Sequence, residues 1–237
     1  MTPQNVDIAR NLADVRAQMA DAARASARDP HEITLIAVSK GQPVAAIREA
    51  FAAGQRDFGE NYVQEWQQKA AELQDLAELR WHFIGHLQRN KVKNVIGKVH
   101  LLHTADDMQG MDEMARFAHS QRVSQHVLLQ VSLAGEAQKR GCTADDVEIF
   151  AEVLLRSPGL RLQGLMTVPP AANDAQANRS YFAQLRHLRD QLQAAVGAHP
   201  LAPQRWLLSM GMSADFGVAI EQGATHVRVG TAIFGKR

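Results

Sequence analysis

After an opening amphipathic segment, the chain repeats one pattern about eight times. A short apolar run ends at a turn, and a stretch with helical spacing follows. The clearest runs are Ile33–Val38, His126–Leu133 and Arg161–Val168. Such continuous apolar runs suit parallel strands buried on both faces. Shorter runs lie at Asp57–Gly59, Trp81–Ile84, Val99–His103, Arg205–Ser209 and Thr225–Val229. Helical spacing is expected over Pro43–Ala53, Val63–Leu79, Gln88–Ile96, Asp107–Ser120, Thr143–Leu155, Ala175–Val196 and Ala214–Gln222. This count predicts an α/β fold: one (β/α)8 TIM-type barrel with a leading N-terminal helix over residues 1–28. The 237 residues show no linker or composition shift, so a single domain over 1–237 is expected. A doubly wound open sheet is the runner-up, and it needs a reversal of strand order. The leading helix is expected to cap the barrel bottom or to pair with another subunit.

The last two units carry the first chemical signal. Ser213 closes the turn Met210–Ser213, and Gly230–Thr231 follows the strand ending at Val229. In a barrel both turns lie at the C-terminal mouth, where backbone N–H groups and hydroxyls commonly hold a phosphate. Lys40 directly follows the first apolar strand and projects at the same mouth. A lysine beside apolar walls loses part of its preference for charge, and a neutral amine condenses with aldehydes. Lysine plus phosphate cradle fits pyridoxal 5′-phosphate (PLP), and also a sugar phosphate in a Schiff-base aldolase. The bland reading of Lys40 is a solvated strand-end lysine.

Arg228 is the one charge in the apolar strand HVRV. A buried arginine needs a partner. It could pair with an acid such as Glu60, or face the pyridine nitrogen of PLP. In the second case it stays protonated, keeps the ring nitrogen unprotonated and weakens the ring as an electron sink.

Several ordered motifs then align with a known family. They are AVSK at 37–40, FGENYVQE at 58–65, WHFIGHLQRNK at 81–91, GLMTV at 164–168, LSMGMSADF at 208–216 and RVGTAIFG at 228–235. Through them nearly the whole chain resembles the PLP homeostasis proteins, the YggS/PROSC pyridoxal phosphate-binding group of fold-type III. The resemblance implies an alanine-racemase-like barrel with PLP as an internal aldimine on Lys40. It implies phosphate contacts from Ser213, Gly230 and Thr231, with Arg228 at the ring nitrogen and Asn61, His82 and Met210 lining the cofactor. It also implies a cytoplasmic, non-catalytic vitamin B6 carrier and regulator. Its partners would be PLP and apo PLP-dependent enzymes, and it would be a monomer or weak homodimer. Two departures stand out. Gly41 replaces a common threonine and is expected to loosen the turn beside Lys40. His86 replaces a common proline and adds a titratable group near the mouth. Lys139 matches a family lysine and reads as a second PLP contact or as a solvated loop residue.

The main alternative is a fold-type III amino-acid racemase. Such enzymes need a second acid/base, usually a tyrosine, on the opposite face of the cofactor. Tyr62 and Tyr181 are the two tyrosines, and both fall at helix starts or within helices. The second base therefore looks missing.

Other classes are disfavoured. Net charge is +1, which gives no bulk attraction to nucleic acid. The basic cluster Arg89, Lys91, Lys93 and Lys98 reads as a solvated helix face, with a weak phosphate contact as the alternative. No apolar run spans a bilayer, and the opening residues lack an export signal. The ten histidines lack metal-binding spacing, so no metal site is expected. His82 reads equally as a satisfied core histidine or a neighbour of PLP. The lone Cys142 allows no internal disulfide.

Overall fold

The computed structural model describes residues 6–134, 140–172 and 174–235. Helix α1 (Ile8–Ala25) leads into β1 (Thr34–Val38), α2 (Val44–Ala52), β2 (Asp57–Glu60) and α3 (Val63–Glu72). Then come β3 (Arg80–Phe83), α4 (Val92–Val95), β4 (Leu101–Ala105), α5 (Met108–Gln121) and β5 (Gln125–Gln130). The chain closes with α6 (Val147–Arg156), β6 (Leu160–Met166), α7 (Arg179–Val196), β7 (Leu207–Ser209), α8 (Phe216–Glu221), β8 (His226–Val229) and α9 (Thr231–Phe234).

The eight strands form a closed parallel barrel in sequence order. Strand β1 pairs with both β2 and β8, with Thr34 opposite His226 and Ala37 opposite Phe58. That closure removes the open-sheet alternative. It also brings the end of β1, which carries Lys40, beside the end of β8, which carries Gly230–Thr231.

Two apolar regions hold the barrel. The larger lies between barrel wall and helices and includes Leu12, Phe58, Phe83, Leu102, Leu129, Phe182 and Ile233. The smaller joins Leu101, Leu128 and Met166, with Leu207 against them. Residues of β2–β4 and β7–β8 fill much of the remaining interior with polar groups: Asp57, His82, His103, Ser209, His226 and Arg228 are all buried. Barrel interiors are more often filled by branched aliphatic side chains. Gly164 shows how tightly the wall is built. It sits at φ +150°, and a Cβ there would lie 2.0 Å from the carbonyl oxygen of Leu207.

Helix α1 lies against the outer helices and not across the barrel bottom. Its apolar stripe of Ile8, Leu12, Val15, Met19 and Ala23 is buried, and it packs against α2, α8 and α9. Asn11 Nδ2 donates to the carbonyl of Ile233 at 2.9 Å, and Arg28 Nη1 to that of Ile220 at 2.7 Å. The helix after β8 is only four residues long, so α1 takes the place of a full eighth helix in the outer ring.

Some boundaries differ from the pattern. Helix α3 ends at Glu72, seven residues before the expected end, because Leu73, Leu76 and Leu79 turn inward through successive tight turns. The expected helix at 88–96 is a 3-10 turn at Arg89–Lys91 followed by short α4. Strand β4 starts two residues later than expected.

Candidate functional site

The mouth is organised around the turn Ser39–Lys40–Gly41. Lys69 reaches this turn from α3. Its Nζ lies 2.6 Å from the carbonyl oxygen of Ser39, 2.7 Å from Glu60 Oε1 and 2.7 Å from Glu65 Oε1. Ser39 Oγ also donates to Glu60 Oε1, at 2.7 Å, and the amide of Gly41 donates to Glu65. So the residues on both sides of Lys40 are held. Gly41 lies at φ +71°, in the left-handed region where glycine is unstrained. The expected loosening is offset by the Glu65 hydrogen bond. Burial raises the Glu60 carboxyl above its ordinary value, and the Lys69 and Ser39 hydrogen bonds oppose that rise. Sequence reading missed Lys69. The available signal was its place on the buried stripe Val63, Trp66, Lys69 of α3.

Beside that turn lies the expected anion cradle. Ser213 Oγ accepts from the backbone N–H of Gly230 at 3.2 Å and of Ala232 at 3.5 Å. Thr231 stands between those two amides at the start of α9. Gly230 presses on the end of β1, where an added Cβ would lie 3.3 Å from the carbonyl oxygen of Val38. Val38 is two residues from Lys40, so cradle and lysine share one edge of the mouth.

Arg228 is buried on β8. Its Nη1 donates to Ser209 Oγ at 2.6 Å and its Nη2 to the carbonyl of Thr167 at 2.9 Å. Both acceptors are neutral. The alternative pairing with Glu60 is not made, because Glu60 is taken by Lys69 and Ser39. Burial lowers the guanidinium to about 10, opposed by the field of Asp215, so it is still charged at neutral pH.

The remaining expected residues are placed less uniformly. The side-chain oxygen of Asn61 is buried without a partner, and Asn61 lines an open cavity of about 500 Å3 with Tyr62, Gly85, His86, Lys91 and Arg140. Gly85 is required there: a Cβ would come within 2.0 Å of the Asn61 carbonyl oxygen. His82 has both ring nitrogens engaged inside the barrel, with Asp57 at 2.9 Å and His103 at 3.0 Å. Met210 is fully buried in the apolar layer outside the barrel, on the opposite side from inward-facing Ser209. His86 Nδ1 lies 2.8 Å from Asp106 Oδ2. Tyr62 is exposed at the start of α3, and Tyr181 lies within α7. Lys139 lies outside the described residues. Among the described residues, no group of histidine, cysteine and acidic side chains has a metal-binding arrangement, and no helix is long and apolar enough to cross a membrane.

Residues 10–237 match the alanine racemase N-terminal domain family. The chain is 44% identical over 230 residues to the pyridoxal phosphate homeostasis protein of Pseudomonas aeruginosa, covering 97% of this chain and 96% of that one. The chain belongs to the pyridoxal phosphate homeostasis protein family. The Escherichia coli K12 member is 41% identical over 98% of this chain and 97% of its own length. Among solved structures, PipY of Synechococcus elongatus with PLP bound has a TM-score of 0.84 at 38% identity, covering 97% of this chain and all of that one. An alanine racemase of Corynebacterium glutamicum has a TM-score of 0.66 at 15% identity, and the match spans 61% of the racemase chain. At that identity the racemase likeness concerns the fold alone.

Proposed function

We propose that this chain binds PLP and serves PLP homeostasis, holding the cofactor through Lys40 without robust turnover of a substrate. The observation that carries this reading is the shared edge of the mouth. The Lys40 turn and the Ser213–Gly230–Ala232 cradle meet at Val38, with a buried guanidinium that lacks a hydrogen-bonded acid on the neighbouring strand. These donors fit the group. The amides of Gly230 and Ala232, which here make long bonds to Ser213 Oγ, would turn with that hydroxyl to a phosphate dianion. A charged donor bonded only to neutral oxygens suits a ring nitrogen that accepts. The buried, unpartnered oxygen of Asn61 marks a further polar contact at the mouth. The names of the relatives and the PLP-bound PipY support the same assignment.

When bound, PLP supplies an aldehyde that condenses with a lysine amine, and a phosphate that anchors it. Lys40 is the residue that would take the aldehyde, with its turn fixed by Lys69 and Glu65. Ser213, Gly230 and Thr231 would hold the phosphate. Arg228, still charged, would donate to the ring nitrogen and keep a proton off it. A ring without that proton is a weaker electron sink, which disfavours efficient decarboxylation or transamination. Retention and release of PLP, with apo PLP-dependent enzymes as recipients, are therefore the activities this site suits.

The test is visible absorbance after incubation with PLP and removal of excess. Wild type is expected to show a stable band that Lys40→Ala lacks. Equal absence of colour in both would refute the assignment.

A further inference from the structure

A buried chain of hydrogen bonds crosses the barrel interior from the first residue of β2 to Arg228. Asp57 Oδ1 lies 2.9 Å from His82 Nε2, and His82 Nδ1 lies 3.0 Å from His103 Nε2. His103 Nδ1 lies 2.9 Å from Ser209 Oγ, which accepts from Arg228 Nη1 at 2.6 Å. Five different strands supply the five members. His82, His103 and Ser209 are shut off from solvent, and the half-exposed Arg80 closes the far end with two bonds to Asp57.

The chemistry of the two ends favours one sense for every link. A guanidinium only donates, and an ionised carboxylate only accepts. Ser209 therefore accepts from Arg228 and gives its one proton to Nδ1 of His103. His103 then donates from Nε2 to Nδ1 of His82, and His82 donates from Nε2 to Asp57. Each ring nitrogen on this path then has one role, with no proton missing and none left over. In the opposite sense, Nδ1 of His82 would donate to Nε2 of His103. His103 would turn its own proton toward Ser209, and the hydroxyl would face two donors. The arrangement thus favours one polarity, running from Arg228 to Asp57.

The geometry points to His103 and Ser209 as positioning residues for Arg228. They orient its guanidinium toward the place where an aromatic ring nitrogen would accept, and link it to the carboxylate of Asp57. This rests on the reading of the Lys40–Arg228 mouth as the PLP site. Thr167 fixes one guanidinium nitrogen from a rigid carbonyl. Ser209 fixes the other through a hydroxyl that rotates freely unless its proton is claimed, and His103 claims it.

Two variants test this by PLP titration and visible spectrum, with circular dichroism to confirm folding. Ser209→Ala cuts the link beside Arg228. His103→Asn keeps an acceptor for Ser209 and lacks the nitrogen facing His82. Ser209→Ala is expected to weaken PLP binding about 5- to 10-fold, less than the loss of a direct hydrogen bond to a charged group because Ser209 acts through Arg228, and to shift the absorption maximum. His103→Asn is expected to do both to a smaller extent. In an Arg228→Gln background, Ser209→Ala should add no further loss, because the relay acts only through Arg228. Folded Ser209→Ala with the wild-type dissociation constant and spectrum would overturn the inference. So would an equal loss in both backgrounds. A wild type with no PLP band would instead refute the underlying site assignment, which separates the two failures.

Discussion

Lys69 Nζ and the carbonyl oxygen of Ser39 lie 2.6 Å apart, which ties the middle of α3 to the residue before Lys40. The same ammonium neutralises Glu60, whose side chain is fully buried. Removing one member of a buried ion pair leaves an uncompensated charge, at a cost of about 3–5 kcal/mol. Lys69→Met is therefore expected to lower unfolding free energy by about that amount in urea titrations, and to speed PLP release. Unchanged stability would show that the pair does not hold the turn.

Ser213 gathers the two amides of the cradle, yet it is not a core residue. Ser213→Ala should weaken PLP binding about 20-fold, within the range for one hydrogen bond to a charged group, while the ligand-free protein melts close to wild type. Isothermal titration and thermal melts check the two halves separately. A large loss of melting temperature without PLP would mean that the hydroxyl serves the fold instead.

Two interior histidines make stability depend on pH. Burial holds His226 down to about 3 and His103 well below its ordinary value. Both are neutral in the fold, whereas the unfolded chain protonates them near 6.5. Their contribution is fully present above that value. It falls as pH drops through the window from 6.5 toward about 3, at up to about 1.4 kcal/mol per pH unit for each histidine. Asp57 acts in the same sense at lower pH. Burial pushes its carboxyl up, but hydrogen bonds from His82 and Arg80 outweigh that and leave it lowered. Urea titrations at pH 7 and pH 5 should show a clear loss at pH 5. Equal midpoints would contradict the neutral interior.

Cys142 is buried, and its thiol is pushed up to about 12 by burial and by the nearby charge of Asp146. Thiolate is the reactive form. Alkylation at pH 8 should therefore be slow in native protein and rapid in denaturant, as followed by mass. Fast native labelling would show a more open loop.

The strands were legible because each is buried on both faces and so reads as an apolar run, as in Thr34–Val38 and Gln125–Gln130. The meeting of Ser213 with Gly230 was legible because both follow strand ends. What sequence could not show is which way a polar side chain turns. Lys69 looked like any helix lysine until α3 was placed against β2. Arg228 could be recognised as buried, but its partners come from β6 and β7, far away in the chain. His103 lay at the expected end of its strand, with nothing to mark it as the centre of a relay between β3 and β7. The overlong prediction for α3 has the same origin, because apolar Leu73, Leu76 and Leu79 continue a helical rhythm while packing through turns.

The central claim is that one amine, beside one phosphate cradle, holds the cofactor. Borohydride reduction of the PLP-loaded protein, followed by peptide mass mapping, tests it most directly. The account predicts a single added phosphopyridoxyl group on the peptide containing Lys40, absent from Lys40→Ala. A modification on any other lysine, with the Lys40 peptide unmodified, would contradict it.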